Sequence, residues 1–217
     1  MKNLNLLIDF DSTFIKDESL ELISQISIKN SKEKLEAIKK ITNRAMEGEI
    51  SFDQALNQRI KLLNANKTHI KIVIEKIKKN ISTSFLENKN YFKKNNEKCF
   101  IVSGGFKEII YPIVKPFGFK KSNIYANEFI YDNENIISIN KNNPLSKDLG
   151  KVKIANMIKG KNIIIGDGYT DFEIKKHNKA ILFIQYIENI NRKKLNDKAD
   201  FVAKDFNQIL TFINEKF

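Results

Sequence analysis

A chain of 217 residues with 41% hydrophobic and 29% charged residues can bury a real core, which excludes a disordered protein, and eight Gly and three Pro are too few for linkers or low-complexity segments. The formal charge of +12 invites a nucleic-acid reading, but nearly all of the excess is lysine spread along a chain heavy in Asn and Ile, as in the residue usage of an AT-rich genome. Arginine, the better base reader, stands only at Arg44, Arg59 and Arg192, so nucleic acid is not the expected partner.

The first predicted element is "LNLLIDFD" (4–11), a short apolar run that ends in Asp9 and Asp11 and reads as a buried parallel strand. Residues 17–80 have another texture, with no Pro and one Gly, at position 48. There "LELISQI", "LEAIKKITNRAM", "FDQALNQRIKLL" and "IKIVIEKIKKNI" repeat apolar residues at three- and four-residue spacing, which predicts a small helical bundle inserted after the first strand. Gly48 is the expected C-terminal cap of one helix, and Ser51 with Gln54 the capping box of the next.

Further strands are predicted at "KCFIVSGG" (98–105), "KNIIIGDG" (161–168) and "KAILFIQY" (179–186), with "DFVA" (200–203) as a short edge strand. "YANEFIYDNENIISIN" (125–140) alternates apolar and polar residues around "DNEN" and reads as a β-hairpin, and "KDFNQILTFINEKF" closes the chain as a helix. Strands alternating with helices predict an α/β fold with a parallel sheet. The single Cys99 rules out an internal disulfide and reads as an inert core thiol in a reducing compartment, while His69 and His177, among lysines, read as surface residues. The opening apolar run is short for a signal peptide, and no run reaches the roughly 18 apolar residues of a membrane helix, so a cytoplasmic protein without membrane contact is expected.

In open parallel sheets the carboxyl ends of the strands line the ligand crevice. Here those ends carry Asp9, Asp11, Ser12, Thr13, Ser103, Gly104, Gly105, Asp167, Gly168 and Asp171. Taken singly, "DFDST", "SGG" and "GDG" are ordinary turn signals. Taken together they gather four carboxylates, which repel each other without a cation. Oxygen ligands with no His or Cys nearby suit a hard ion, Mg²⁺ most of all. The glycines bare amides that suit a phosphate, and Lys147 or Lys151 could complete the charge balance.

"DFDST", "VSGGF", a lysine ahead of the last motif strand, and "GDGYTD", in that order, resemble the haloacid dehalogenase superfamily of phosphohydrolases. The resemblance spans nearly the whole chain, and the helical insert looks like the cap of the phosphoserine phosphatase branch. It implies a Rossmannoid parallel-sheet core, 1–15 and 82–217, with a helical cap at 16–81. It also implies an Mg²⁺-dependent phosphomonoester hydrolase. Asp9 would be the nucleophile, and Asp11 the general acid and then the base. Asp9, Asp167 and the carbonyl of Asp11 would hold the metal. Ser103 and the amides of Gly104 and Gly105 would hold phosphate oxygens, Lys151 (favoured over Lys147) would neutralise charge, and Asp171 would orient that lysine or a metal-bound water.

"DSTFIKDE" places Glu18 where that branch holds a substrate ammonium, and "AMEGEISFDQALNQRI" places Arg59 where it reads a substrate carboxylate, with Phe52 and Met46 nearby. A helix-charging Glu18, a solvated Arg59 and a core Phe52 are the bland alternatives. Thr170 stands where the family often has Asn, and Tyr169 replaces a small residue at the mouth of the site. The substrate so implied is a small phosphorylated metabolite, O-phosphoserine first. A phosphatase or phosphotransferase acting on another such molecule, for example phosphohomoserine, comes second. A nucleic-acid binder on an inactive scaffold comes third, opposed by the intact carboxylates.

Overall fold

The computed structural model describes residues 4–28, 31–46 and 49–217, the side chains of Asn43, Ala45 and Met46 excepted. The apolar runs become strands: β1 (Leu4–Ile8), β2 (Cys99–Phe106), β3 (Ile124–Asn127), β4 (Phe129–Asp132), β5 (Asn135–Ile139), β6 (Lys161–Gly166), β7 (Leu182–Tyr186) and β8 (Phe201–Ala203). Six of them form one sheet in the order β3-β2-β1-β6-β7-β8, with every pairing parallel. The central strand β1 is buried along its whole length, as a parallel strand covered on both faces must be. Its one polar residue, Asn5, is satisfied across the ladder by Asn162 Oδ1 at 3.0 Å and the Lys159 carbonyl at 2.9 Å.

The stretch read as one hairpin divides in two. Ile124–Asn127 joins the parallel sheet beside β2, and only β4 and β5 pair antiparallel. Alternation is the same in both settings; what separates them is the neighbour on offer, and Ile124, Ala126 and Asn127 are buried against β2 and the helix that follows it. The turn falls where "DNEN" put it, with Asn133 in the left-handed region at φ 53°.

The helices are α1 (Ser19–Ser27), α2 (Lys32–Met46), α3 (Phe52–Leu62), α4 (Lys67–Ile77), α5 (Thr83–Glu87), α6 (Lys89–Lys94), α7 (Lys107–Val114), α8 (Gly150–Met157), α9 (Tyr169–Lys176) and α10 (Phe206–Lys216). Periodicity found the first four and the last. It missed α5 and α6, which are shorter than two turns, and α7, whose interior Pro112 reads as a breaker. The Ser51 and Gln54 capping box is formed at the start of α3, while Gly48 lies outside the described residues. His69, half-buried rather than free on the surface, completes a second capping box with Asn66 at the start of α4. His177 is exposed.

The segment α1–α4 leaves and re-enters the sheet side through two strands of chain held side by side. Lys16 N donates to Asn80 O at 2.8 Å, Ser82 N to Phe14 O at 3.1 Å, and Ile15 bridges Ile81. The hairpin is stitched to the α3–α4 connection: Ile136 N donates to Ala65 O and Lys67 N to Glu134 O, both at 2.9 Å, and Lys67 Nζ pairs with Glu134 at 3.0 Å. Apolar packing runs on without a break, so Ile23, Ile60 and Val73 of the insert share one cluster with Phe14, Phe106 and Phe129. Below the end of β1 an aromatic nest locks the chain, with Phe14 4.7 Å from Phe85, and Phe85 4.9 Å from Phe206, ring centre to ring centre. Burial pushes the Cys99 thiol up to about 12, which keeps it neutral and inert. No helix among the described residues is long and apolar enough to cross a membrane.

Candidate active site

Asp9 leaves β1 in extended conformation, and its Oδ1 accepts the Phe10 amide at 2.8 Å, which starts a tight turn over Phe10–Phe14. Ser12 takes φ 55° inside that turn, a left-handed conformation that non-glycine residues adopt only where the surroundings enforce it. The enforcement is visible. The buried rings of Phe10 and Phe14 anchor both ends, Asp11 Oδ1 accepts the Ser19 amide at 2.9 Å, and the Ser12 hydroxyl donates to Glu18 Oε1 at 2.7 Å. The turn thus folds residues 9–19 around one point beyond the carboxyl end of β1.

The neighbouring strand β6 delivers Asp167 to the same point, where its Oδ1 accepts the Thr13 hydroxyl at 3.3 Å. Asp171, in the first turn of α9, folds back beneath it, and its Oδ2 accepts the Gly168 amide at 3.1 Å. Glycine is required at 166 because a Cβ there would lie 2.3 Å from the Asp171 carboxylate. From the other side the first turn of α8 brings Lys151, whose Nζ stands 2.8 Å from Asp9 Oδ1 and 2.8 Å from Asp171 Oδ1. Lys147 is exposed and away from this cluster, so the lysine among these carboxylates is Lys151.

The carboxylates beside Lys151 feel one another's charge strongly because Asp9, Asp167 and Asp171 are buried. Burial pushes Asp9 up, and the Lys151 ammonium pulls it back; burial and the neighbouring Asp9 raise Asp171 to about 8. Asp11 lies well above the ordinary aspartate range, first through burial and then through Glu18. Burial lowers Lys151, yet Asp171 and Asp9 outweigh it and hold the ammonium charged above its usual value. Oxygens of Asp9, Asp167 and Asp171 lie within 4.8 Å of one another. Both oxygens of Asp171 are already engaged, whereas Asp9 Oδ2 has no protein partner among the described residues. Buried, oxygen-only and richer in anions than cations, this donor set fits a hard divalent metal ion.

The third part of the site is the irregular, loop-like carboxyl end of β2, where the pairing with β3 shifts register, and it supplies hydrogen-bond donors. Ser103 is buried and its Oγ accepts the Gly105 amide at 2.9 Å. A Cβ on Gly105 would stand 3.0 Å from Asp11 Oδ2, so bare backbone faces that carboxylate oxygen. A Cβ on Gly104 would stand 3.1 Å from the Phe52 ring, which places α3 directly over this loop. Asn127 pins the loop from behind, donating to Gly104 O at 2.9 Å and Leu145 O at 3.1 Å.

Of the residues expected to read a substrate, Glu18 is exposed at the rim, raised by desolvation and by the charges of Asp167 and Asp9, while half-buried Arg59 is lowered by desolvation and sits in the field of Glu18, Glu21 and Asp11. Arg59 Nε donates to the Ala55 carbonyl at 3.4 Å, and among the described residues it forms no ion pair. Thr170 is exposed in the first turn of α9, and its hydroxyl holds no hydrogen bond among the described residues. Tyr169 is exposed beside it, its ring 5.7 Å from that of Phe172. Met46 ends α2, but its side chain lies outside the described residues.

Sequence reasoning missed Arg192. Its Nε donates to Asp167 Oδ2 at 2.8 Å and its Nη2 stands 4.0 Å from Glu18 Oε1. It belongs to no motif, in a loop after β7; its one signal was rarity, a third arginine among many lysines. Asn127 and Asp148, which bonds the Phe52 amide, were missed for the same reason, since each acts on a partner remote in sequence.

An acidic turn after β1, bare amides at the end of β2 and an acidic loop after β6 meet at the carboxyl edge of one parallel sheet, as in α/β proteins that bind anions there. The chain belongs to the haloacid dehalogenase-like hydrolase family, whose model matches residues 6–174. It is 27% identical to the phosphoserine phosphatase of Homo sapiens over 95% of this chain and 92% of that protein. Among solved structures it is similar to a phosphoserine phosphohydrolase-like protein from Francisella tularensis, with TM-score 0.85 and 33% identity over 96% of this chain and 99% of that one. It is also similar to a substrate-bound phosphoserine phosphatase complex, with TM-score 0.76 and 28% identity over 98% of both chains.

Proposed function

We propose that the chain is an Mg²⁺-dependent phosphoserine phosphatase of the cytoplasm, with residues 16–81 acting as a cap on a core of 1–15 and 82–217. The observation that carries the reading is the meeting of Asp9, Asp11, Lys151 and the Ser103–Gly105 loop beneath the cap helix that bears Arg59. The naming of the relatives supports the substrate.

Asp9 Oδ2 attacks phosphorus, the bond from phosphorus to the serine oxygen breaks, and Asp11 gives its proton to that oxygen. Desolvation and the charge of Glu18 suit Asp11 to this task, because both raise its carboxyl well above the ordinary aspartate range and so favour the proton-bearing form. Asp11 then takes a proton from water, whose oxygen attacks the phosphorus of the aspartyl-phosphate, and the bond to Asp9 breaks to release phosphate. Lys151, Ser103 and the amides of Gly104 and Gly105 take up the charge of the phosphate oxygens. Asp9 and Asp167, with the Asp11 carbonyl, would hold Mg²⁺, which when bound supplies electrostatic stabilisation of the transferring phosphoryl group. Asp171 fixes the lysine. Glu18 reads the ammonium of the substrate and Arg59 its carboxylate, with Phe52 and Met46 as further substrate-binding residues and Thr170 toward the phosphate.

The three arginines leave little for nucleic acid. Arg59 and Arg192 face the site, and Arg44 pairs with Glu49 at 3.1 Å.

Phosphate release from a panel of phosphomonoesters with Mg²⁺ tests the reading. O-phosphoserine is expected to lead the panel. Equal turnover of sugar phosphates sinks the substrate, transfer of phosphate to an added alcohol shifts the reaction to phosphotransfer, and no turnover of any substrate sinks the activity. Arg59→Ala is expected to raise KM for phosphoserine about thirtyfold while kcat changes by less than about threefold, since it removes a charge-assisted contact made in ground and transition state alike.

A further inference from the structure

We propose that Asp148 is a positioning residue: a carboxylate of the core that accepts the first amide of cap helix α3 and holds the cap shut over the phosphate loop. This rests on the reading of residues 16–81 as the cap of a phosphatase.

The first turn of any helix leaves amides without intrahelical acceptors. In α3 the Gln54 amide is taken within the segment, by Ser51 Oγ at 3.4 Å and Asp53 Oδ1 at 2.8 Å. The Phe52 amide is taken from outside, by Asp148 Oδ1 at 2.9 Å, 96 residues along the chain. A carboxylate at a helix N-terminus gains from the helix dipole as well as from the bond.

Both ends of this contact lead into the site. The Phe52 ring lies over Gly104, so the residue whose backbone is held is also the one whose side chain covers the donor loop. Asp148 stands three positions before Lys151, in a turn with little freedom. Leu149 takes φ 56°, the Gly150 amide donates to Lys147 O at 3.1 Å, and a Cβ on Gly150 would stand 2.4 Å from the Pro144 carbonyl oxygen. A strained turn of this kind persists where the surroundings enforce it and clusters at functional sites. The bond therefore ties closure of the cap to the turn that aims Lys151 at Asp9 and Asp171.

The test compares wild type with Asp148→Ala and Asp148→Asn, all checked for the same melting temperature. Hydrogen exchange of the peptides covering 50–62 and 103–106 reports closure in the free protein, and steady-state kinetics on O-phosphoserine and p-nitrophenyl phosphate report its use. In Asp148→Ala, exchange of both peptides is expected to rise roughly fivefold, the scale of one exposed charge-assisted bond. For phosphoserine, kcat/KM is expected to fall about tenfold, mostly through KM. Hydrolysis of p-nitrophenyl phosphate, which lacks the groups that Glu18 and Arg59 would read, is expected to change less than about twofold. Asp148→Asn keeps an acceptor oxygen and is expected to lie near wild type. Unchanged exchange in Asp148→Ala overturns the proposal, as does an equal loss of kcat on both substrates. If wild type ignores phosphoserine, the substrate reading fails while the exchange measurement still decides the latch.

Discussion

Asp9→Asn is expected to yield a folded protein that releases phosphate at least about a thousandfold more slowly than wild type, because the amide cannot form an acyl-phosphate. The fold should survive the change. Asn retains an oxygen to accept the Phe10 amide and Lys151, which now meet at Asp9 Oδ1 at 2.8 Å each. The variant also removes one charge from a buried set in which burial already pushes Asp9, Asp11 and Asp171 up, so its melting temperature should equal or exceed that of wild type. Intact-protein mass spectrometry after a quench in acid should find the phosphoryl adduct on wild type and not on Asp9→Asn. Wild-type turnover by Asp9→Asn removes Asp9 from the mechanism, and an adduct on another residue moves the nucleophile there.

Lys151→Ala is expected to cost about 3–5 kcal/mol of stability at pH 8 without metal, in addition to abolishing activity, because it strips the cation from between two buried carboxylates. The pH dependence follows from the directions of the shifts. Asp9 and Asp171 have folded values above the ordinary 3.8, Asp171 reaching about 8. A group so raised contributes stability that is fully present below its ordinary value and is lost as pH rises through the folded value. Lys151 restrains that loss in wild type; without it both carboxyls rise further and the loss deepens. Calorimetry from pH 5 to pH 8 should therefore show the gap between wild type and Lys151→Ala widening with pH. Mg²⁺ added at pH 8 should recover part of it by supplying another cation to the same oxygens. A gap that stays constant across this range contradicts the electrostatic role of Lys151.

Much of the architecture was legible because it is local. Five-residue apolar runs bounded by turn signals found the strands, and spacing found α1–α4, including the capping box at Ser51, since each rests on neighbours in sequence. Where local patterns are ambiguous the reading erred: alternation could not tell an edge strand such as β3 from a hairpin strand, and α5 and α6 are too short to show a period. The acidic strand ends were visible as residues, and their meeting was an inference from the rule that carboxyl ends of parallel strands converge.

By itself, then, the sequence determined the alternation of strand and helix, the acidic endings of β1 and β6 and the glycines after Ser103, all of which depend on backbone sterics and periodicity. The tertiary structure alone decided which partners those groups have. It set Lys151 rather than Lys147 between Asp9 and Asp171, Arg192 on Asp167, Asn127 behind Gly104, and Asp148 on the first amide of α3. Each of these contacts joins residues between 20 and 142 positions apart in the chain. Nothing in a residue's own neighbourhood specifies such a partner, because the contact exists only after the sheet has brought separate strand ends to one edge and the helices have packed over them.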